Sequence, residues 1–141
     1  MRIAARKSVS SATQRREQLV NERLRAPRLR NQFPDIERLR IELVFNDPEG
    51  RSPSPSPQLH ALHAAASAFF RFPCPCADCD GDFDLTYLVT TLMTRTTGAK
   101  RAASLGGHLS CNGVRFRDHA VNRTCPMQLN FQLNAEPRRA V

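Results

Sequence analysis

The sequence predicts an α+β domain: a small, three-stranded, mainly antiparallel sheet with two helices on its apolar face. Three observations lead there. Apolar residues alternate at period two through Leu39–Phe45 and again through Met127–Ala135. Leu85, Leu88, Val89, Leu92 and Met93 fall instead at helical spacing. Five cysteines are unevenly placed: Cys74, Cys76 and Cys79 lie within six residues, Cys111 closes one strand-like segment, and Cys125 just precedes another.

At 141 residues the chain is the size of one domain. No apolar run approaches a membrane span, and Met1–Val20 lacks the apolar centre of a secretory signal. The expectation is a soluble, cytoplasmic protein with no membrane partner. In such a compartment clustered cysteines are metal ligands or redox groups rather than disulfides, and five is a poor number for a closed disulfide set. The net charge is +8 and is concentrated. Residues 1–40 hold eleven Arg or Lys against four Asp or Glu, net +7, while residues 41–141 hold ten against nine, net +1. A basic block of this kind suits nucleic acid or the ribosome. The 19 Arg against 2 Lys, with abundant Ala and Pro, are also what a GC-rich genome yields without selection for binding.

Taken in order, residues 1–35 form a basic arm, mobile or helical on docking. Ser11 or Thr13 can cap a helix through Ala12–Arg25, with Leu19, Val20 and Leu24 as a thin apolar stripe. Its Arg- and Ser-rich start also has the composition of a mitochondrial transit peptide. Residues 36–135 form the domain. Leu39, Ile41, Leu43 and Phe45 are one face of the first strand, which Asn46–Gly50 ends. Residues 50–57 are a Ser/Pro linker with polyproline bias. Ser56 and Pro57 then suit the N-cap and first position of a helix running to about Phe70, with Leu59, Leu62, Ala66, Phe69 and Phe70 inward. His60 and His63 sit three apart on it and read as solvated helix residues rather than ligands. Asp84 can cap a second helix over Leu85–Thr97, and Gly98 is its natural stop. Ala103, Leu105, Gly107, Leu109 and Cys111 share a face of the next strand, although Gly106-Gly107 is also a turn signal. Met127, Leu129, Phe131, Leu133 and Ala135 mark the last strand, and residues 136–141 are a tail.

The cysteines carry the chemistry. Cys79-Asp-Gly81 and Cys111-Asn-Gly113 have one form, a Cys followed by a strong turn pair, and such turns aim backbone N–H groups at sulfur. Cys79, Cys111 and Cys125 are the first three candidate ligands. The fourth is Cys74 or Cys76, with Cys74 preferred; His108 and His119 are reserves. Four thiolates are the ligand set of a structural Zn2+ site. The string Phe72-x-Cys74-x4-Cys79-x3-Phe83-x4-Leu88 resembles the first half of a Cys2His2 finger, but no His follows at helical spacing. With Cys111 and Cys125 as the second pair, the arrangement is similar to a zinc ribbon with a helix inserted between its knuckles. The resemblance implies a structural zinc and no base reading by the inserted helix.

An enzyme is not expected. A catalytic zinc keeps an open position and a base, and the alternating Asp78, Asp80, Asp82 and Asp84 read as turn, cap and knuckle residues. No phosphate loop or nucleophile motif implies a small-molecule substrate. Binding is the expected role. Arg15 and Arg16 of the arm, with Arg115, Phe116, Arg117 and Arg123 of the loop between the last two cysteines, are the candidate nucleic-acid contacts, phosphate to arginine and base to Phe116. The alternatives are an adaptor for an acidic protein partner, with a purely structural zinc, and a thiol-based redox or metal sensor in which Cys76 reacts.

Overall fold

The computed structural model describes residues 2–49, 56–115 and 123–139, and side chains from Ala12 onward, Arg123 excepted. The elements are α1 (Arg2–Arg25), α2 (Leu29–Gln32), β1 (Ile36–Asn46), β2 (Gln58–Leu62), β3 (Arg71–Pro73), β4 (Asp82–Asp84), α3 (Thr86–Ala99), β5 (Ala103–Ser110), β6 (Val114–Arg115), β7 (Arg123–Thr124) and β8 (Gln128–Pro137). The class is α+β. The main sheet has four strands in the order β2-β1-β8-β5, every pair antiparallel.

The alternation seen in the sequence decides the sidedness of this sheet. Leu39, Ile41, Leu43 and Phe45 of β1 stand opposite Ala135, Leu133, Phe131 and Leu129 of β8. All eight are buried, and Val89, Leu92 and Met93 of α3 join the same core. The far face carries Arg40, Glu42 and Val44 beside Gln128, Asn130, Gln132 and Asn134. Gly106 and Gly107 do not turn the chain; β5 runs through them in register with β8.

The helix expected over 57–70 does not form. Gln58–Leu62 becomes β2, pairing with the outer edge of β1. The Ala-rich segment after it turns back under α2. Leu29 N–H donates to Ala66 O at 2.7 Å, Arg30 N–H to Ala64 O at 3.0 Å, and Ala68 N–H to Pro27 O at 2.8 Å. A helix would need those carbonyls for its own ladder. Here they satisfy the start of α2 instead, so tertiary pairing overrides alanine's helix propensity. This gives three strands expected against four found, and one fewer helix on the apolar face.

The expected helix end also moves. Gly98 lies inside α3, and the left-handed residue after it is Lys100, with φ 56°. In α1, Ala12 and Leu19 are buried while Val20 and Leu24 stay exposed. Among the described residues no helix is long and apolar enough to cross a membrane.

Candidate metal centre

Two short hairpins meet beyond the end of the sheet where β5 and β8 pair. The first is β3–β4, with Phe72 opposite Phe83 and the chain from Cys74 to Gly81 between them. The second is β6–β7, entered from β5 through Cys111 and left through Cys125 toward β8. Cys111 N–H donates to Met127 O and Cys125 N–H to Gly113 O, each at 3.0 Å, which ties Cys111 to the start of β8 and Cys125 to the second knuckle turn.

The sulfurs of Cys74, Cys79, Cys111 and Cys125 all lie within 4.8 Å of one another, and all four residues are buried. Cys74 and Cys125 Sγ are 3.8 Å apart, and Cys79 and Cys111 Sγ 3.5 Å. Four sulfurs around a tetrahedral ion at about 2.3 Å stand about 3.8 Å apart, so the donor set fits such an ion with little rearrangement. Cys76 is not in the group; its thiol donates to Asp78 Oδ1 at 2.6 Å.

The two Cys-turn-Gly segments are near twins. Gly81 N–H donates to Cys79 Sγ at 3.2 Å, and Gly113 N–H to Cys111 Sγ at 3.3 Å. Each turn also holds the other. Asp80 Oδ1 accepts from Val114 N–H at 2.9 Å, and Asn112 Oδ1 from Asp82 N–H at 2.8 Å. In both cases the residue after the cysteine reaches the backbone three residues after the opposite cysteine.

Charge is arranged around the sulfurs. Hydrogen bonding to Cys111, Cys125 and Cys79, together with burial, pushes the Cys74 thiol well above its ordinary value. Cys125 moves the other way, stabilised as thiolate chiefly by its hydrogen bond with Cys111. Four thiols this close share protons; ionising all four requires a cation among them. Arg115 stands beside them. It is 1% exposed, with Nη2 2.9 Å from Asp47 Oδ2 and Nη1 donating to Glu49 Oε1 at 2.9 Å. Burial opposes its charge, but the Asp47 bond and the negative charge of Cys125 outweigh it and raise its pKa.

Asp82 is the second charged anchor, buried at the mouth of β4. It accepts from Arg15 Nη2 at 3.0 Å, Arg71 Nε at 2.9 Å and Asn112 Nδ2 at 3.0 Å. Burial would raise its pKa, yet these donors hold it below the usual carboxylate value. Asp84 accepts from Thr86 N–H at the start of α3. The four aspartates thus serve a thiol, a knuckle, an ion-pair cluster and a helix start.

The expected nucleic-acid contacts fare differently. Arg115 is buried, which corrects its reading as a phosphate contact: its cationic head neutralises carboxylates and sulfurs inside. Arg15 is taken up by Asp82, and Arg16 donates to Cys76 O at 2.6 Å. The backbone of Arg123 pairs with Arg115 in β7. Phe116 and Arg117 lie outside the described residues, as does His119. His108 is exposed on the far sheet face, and His60 packs against Phe72 with ring centres 5.1 Å apart and planes tilted by 41°. Asn112, Asp47 and Glu49 were not singled out from the sequence, and Asp82 was read there only as one of the alternating aspartates around the knuckle. The doubled Cys-Asp-Gly and Cys-Asn-Gly was a signal for Asn112; nothing local marks Asp47.

No family model, curated protein or solved structure matches this chain.

Proposed function

We propose that this is a non-catalytic binding module held closed by one Zn2+ on Cys74, Cys79, Cys111 and Cys125. The observation that carries the reading is the set of four buried sulfurs within 4.8 Å. An all-thiolate set leaves no open position for substrate. The adjacent aspartates are engaged: Asp78 with Cys76, Asp80 with Val114, Asp82 with two arginines. A redox-sensor role has less support, because the Cys76 thiol is buried and donates a hydrogen bond to Asp78, which favours the unreactive protonated form.

The partner in this reading is nucleic acid or the ribosome, met by arginines the fold leaves outward: Arg23 and Arg25 of α1 and Arg30 of α2. An adaptor role is favoured by one observation. Val20 and Leu24, 46% and 78% exposed, mix apolar surface into the same helix, and such a surface also suits an acidic protein.

Native mass spectrometry on protein purified without chelator tests the centre. One zinc per chain is expected in the wild type and in Cys76→Ser, and none in Cys74→Ser; metal-free wild type overturns the reading. Binding is tested with fluorescent single-stranded RNA of random sequence. Affinity is expected to fall steeply with salt, and replacing Arg23, Arg25 and Arg30 by Ala to flatten the slope by about 0.7 for each phosphate no longer neutralised. A complex that survives nuclease and ignores salt favours the adaptor.

A further inference from the structure

We infer that β5 is a self-association edge, on which a second copy of this chain adds its own β5 antiparallel about a two-fold axis at Gly107. β5 is the last strand of the sheet, and among the described residues its far edge meets no strand. Edge strands are ordinarily blunted by charge, proline or a bulge. β5 has none of these: Ala103–Ser110 contains no Lys, Arg, Asp, Glu or Pro and keeps unbroken register with β8.

The residue order selects the occupant. Ser104-Leu-Gly-Gly-His-Leu-Ser110 reads nearly the same in both directions about Gly107. An antiparallel copy centred there sets Leu105 against Leu109 of the second copy, Ser104 against Ser110, and Gly107 against itself. Like meets like on each face of the sheet, which an isologous contact requires. The one unmatched pair is Gly106 against His108, where the Gln132 side chain over Gly106 would meet the imidazole of the second copy.

The glycines also bring the neighbouring strand's side chains toward the edge. A Cβ on Gly107 would stand 2.9 Å from Phe131 Cζ, so the Phe131 ring lies over this residue. Gln132 lies over Gly106 on the opposite face. Two copies would thus bring a Phe131 ring from each toward the axis, together with the half-buried Leu105 and Leu109. Charge does not oppose the pairing. Arg101 sits six residues from the axis, so the two copies of it lie about 40 Å apart along the strands, well beyond the screening length.

A single strand pair is a small interface, so exchange between monomer and dimer is expected over micromolar to hundreds of micromolar concentration. Sedimentation velocity of the full chain as purified tests this. Ser104 and Ser110 are exposed and lie beside Asn134 and Gln128 of β8, so charges are tolerated within one copy. Ser104→Lys with Ser110→Lys opposes like charges twice across the axis and is expected to give monomer at every concentration. Ser104→Lys with Ser110→Glu restores opposite charges at both pairs and is expected to restore the dimer. Circular dichroism verifies that both variants keep the wild-type fold. A wild type that stays monomeric throughout, leaving the edge to a different segment, overturns the inference; so does a dimer indifferent to the lysine pair.

Discussion

Gly81 and Gly113 stand face to face across the metal centre. A Cβ on Gly81 would lie 2.6 Å from Gly113 N, and one on Gly113 would lie 2.8 Å from Cys79 Sγ. Each glycine follows a knuckle cysteine by two and donates its N–H to that cysteine's sulfur. The turns are therefore pressed together backbone to backbone, and the sulfurs converge because no side chain separates them.

Alanine at either position must push the two turns apart. Gly81→Ala and Gly113→Ala are expected to destabilise the protein by about 3 kcal/mol or more and to weaken metal retention in step. Gly98→Ala is the control. Nothing lies within 4 Å of its absent Cβ, and it sits inside α3. That change is expected to stabilise by about 0.5–1 kcal/mol. Urea unfolding of the three variants measures both signs; a harmless Gly113→Ala would mean the turns do not pack this closely.

Arg115 joins the metal centre to the turn after β1. Removing one member of a buried ion pair costs about 3–5 kcal/mol, because the remaining charge loses its compensation. Arg115→Met is therefore expected to lower stability by that order, with little change in the salt dependence of any nucleic-acid binding. Arg115→Met with Asp47→Asn should cost less than the two single changes added. Salt-dependent RNA affinity lost in Arg115→Met, with stability intact, would restore Arg115 to the surface role its sequence neighbourhood suggests.

Strands β1 and β8 were legible because their buried face repeats every second residue over seven positions, and β5 because half-buried Ala103, Leu105 and Leu109 keep the same period. The helix α3 was legible from Leu88, Val89, Leu92 and Met93. The knuckle turns were legible because Asp-Gly and Asn-Gly have strong local conformational preferences. Residues 57–70 misled because their stripe fits a helix locally, while the partners of their backbone, β1 and the chain from Pro27 into α2, lie 15 to 41 residues away in sequence. Arg115 misled for a similar reason. Beside Phe116 and Arg117 it resembles a surface cluster, and the carboxylates that draw it inside, Asp47 and Glu49, are more than 60 residues distant. Turn chemistry and periodicity are local; ion pairs and strand edges are not.

Asp82 makes stability depend on acid. Its pKa is held down in the fold, so its contribution is present above the unfolded value of about 3.9 and is lost as pH falls through the lower folded value. Asp82→Asn is expected to be less stable than wild type at pH 7. The gap should narrow below about pH 4 as the wild-type carboxylate protonates. Chemical denaturation from pH 7 to 3, with metal content followed in parallel, checks this; a gap constant over that range would mean that the fold does not lower the Asp82 pKa.

The twin turns differ at one position, Asp80 in the first and Asn112 in the second, and the difference follows from what each must do. Asp80 is an acceptor for Val114 N–H. Asn112 accepts from Asp82 N–H and also donates its own N–H2 to the Asp82 carboxylate. An amide oxygen can replace the carboxylate of Asp80, so Asp80→Asn is expected to change stability by less than about 1 kcal/mol. A carboxylate cannot replace the amide of Asn112. Asn112→Asp removes the donor and sets a second negative charge against buried Asp82, an expected loss of about 2–3 kcal/mol. That loss should shrink in acid, where one of the two carboxyls can hold the proton that the amide supplied. Thermal melts of both variants at pH 7 and pH 4.5 separate the cases. Equal sensitivity of the two positions at both pH values would mean that the turns are held by shape alone, and that the Asp82 cluster does not help align them.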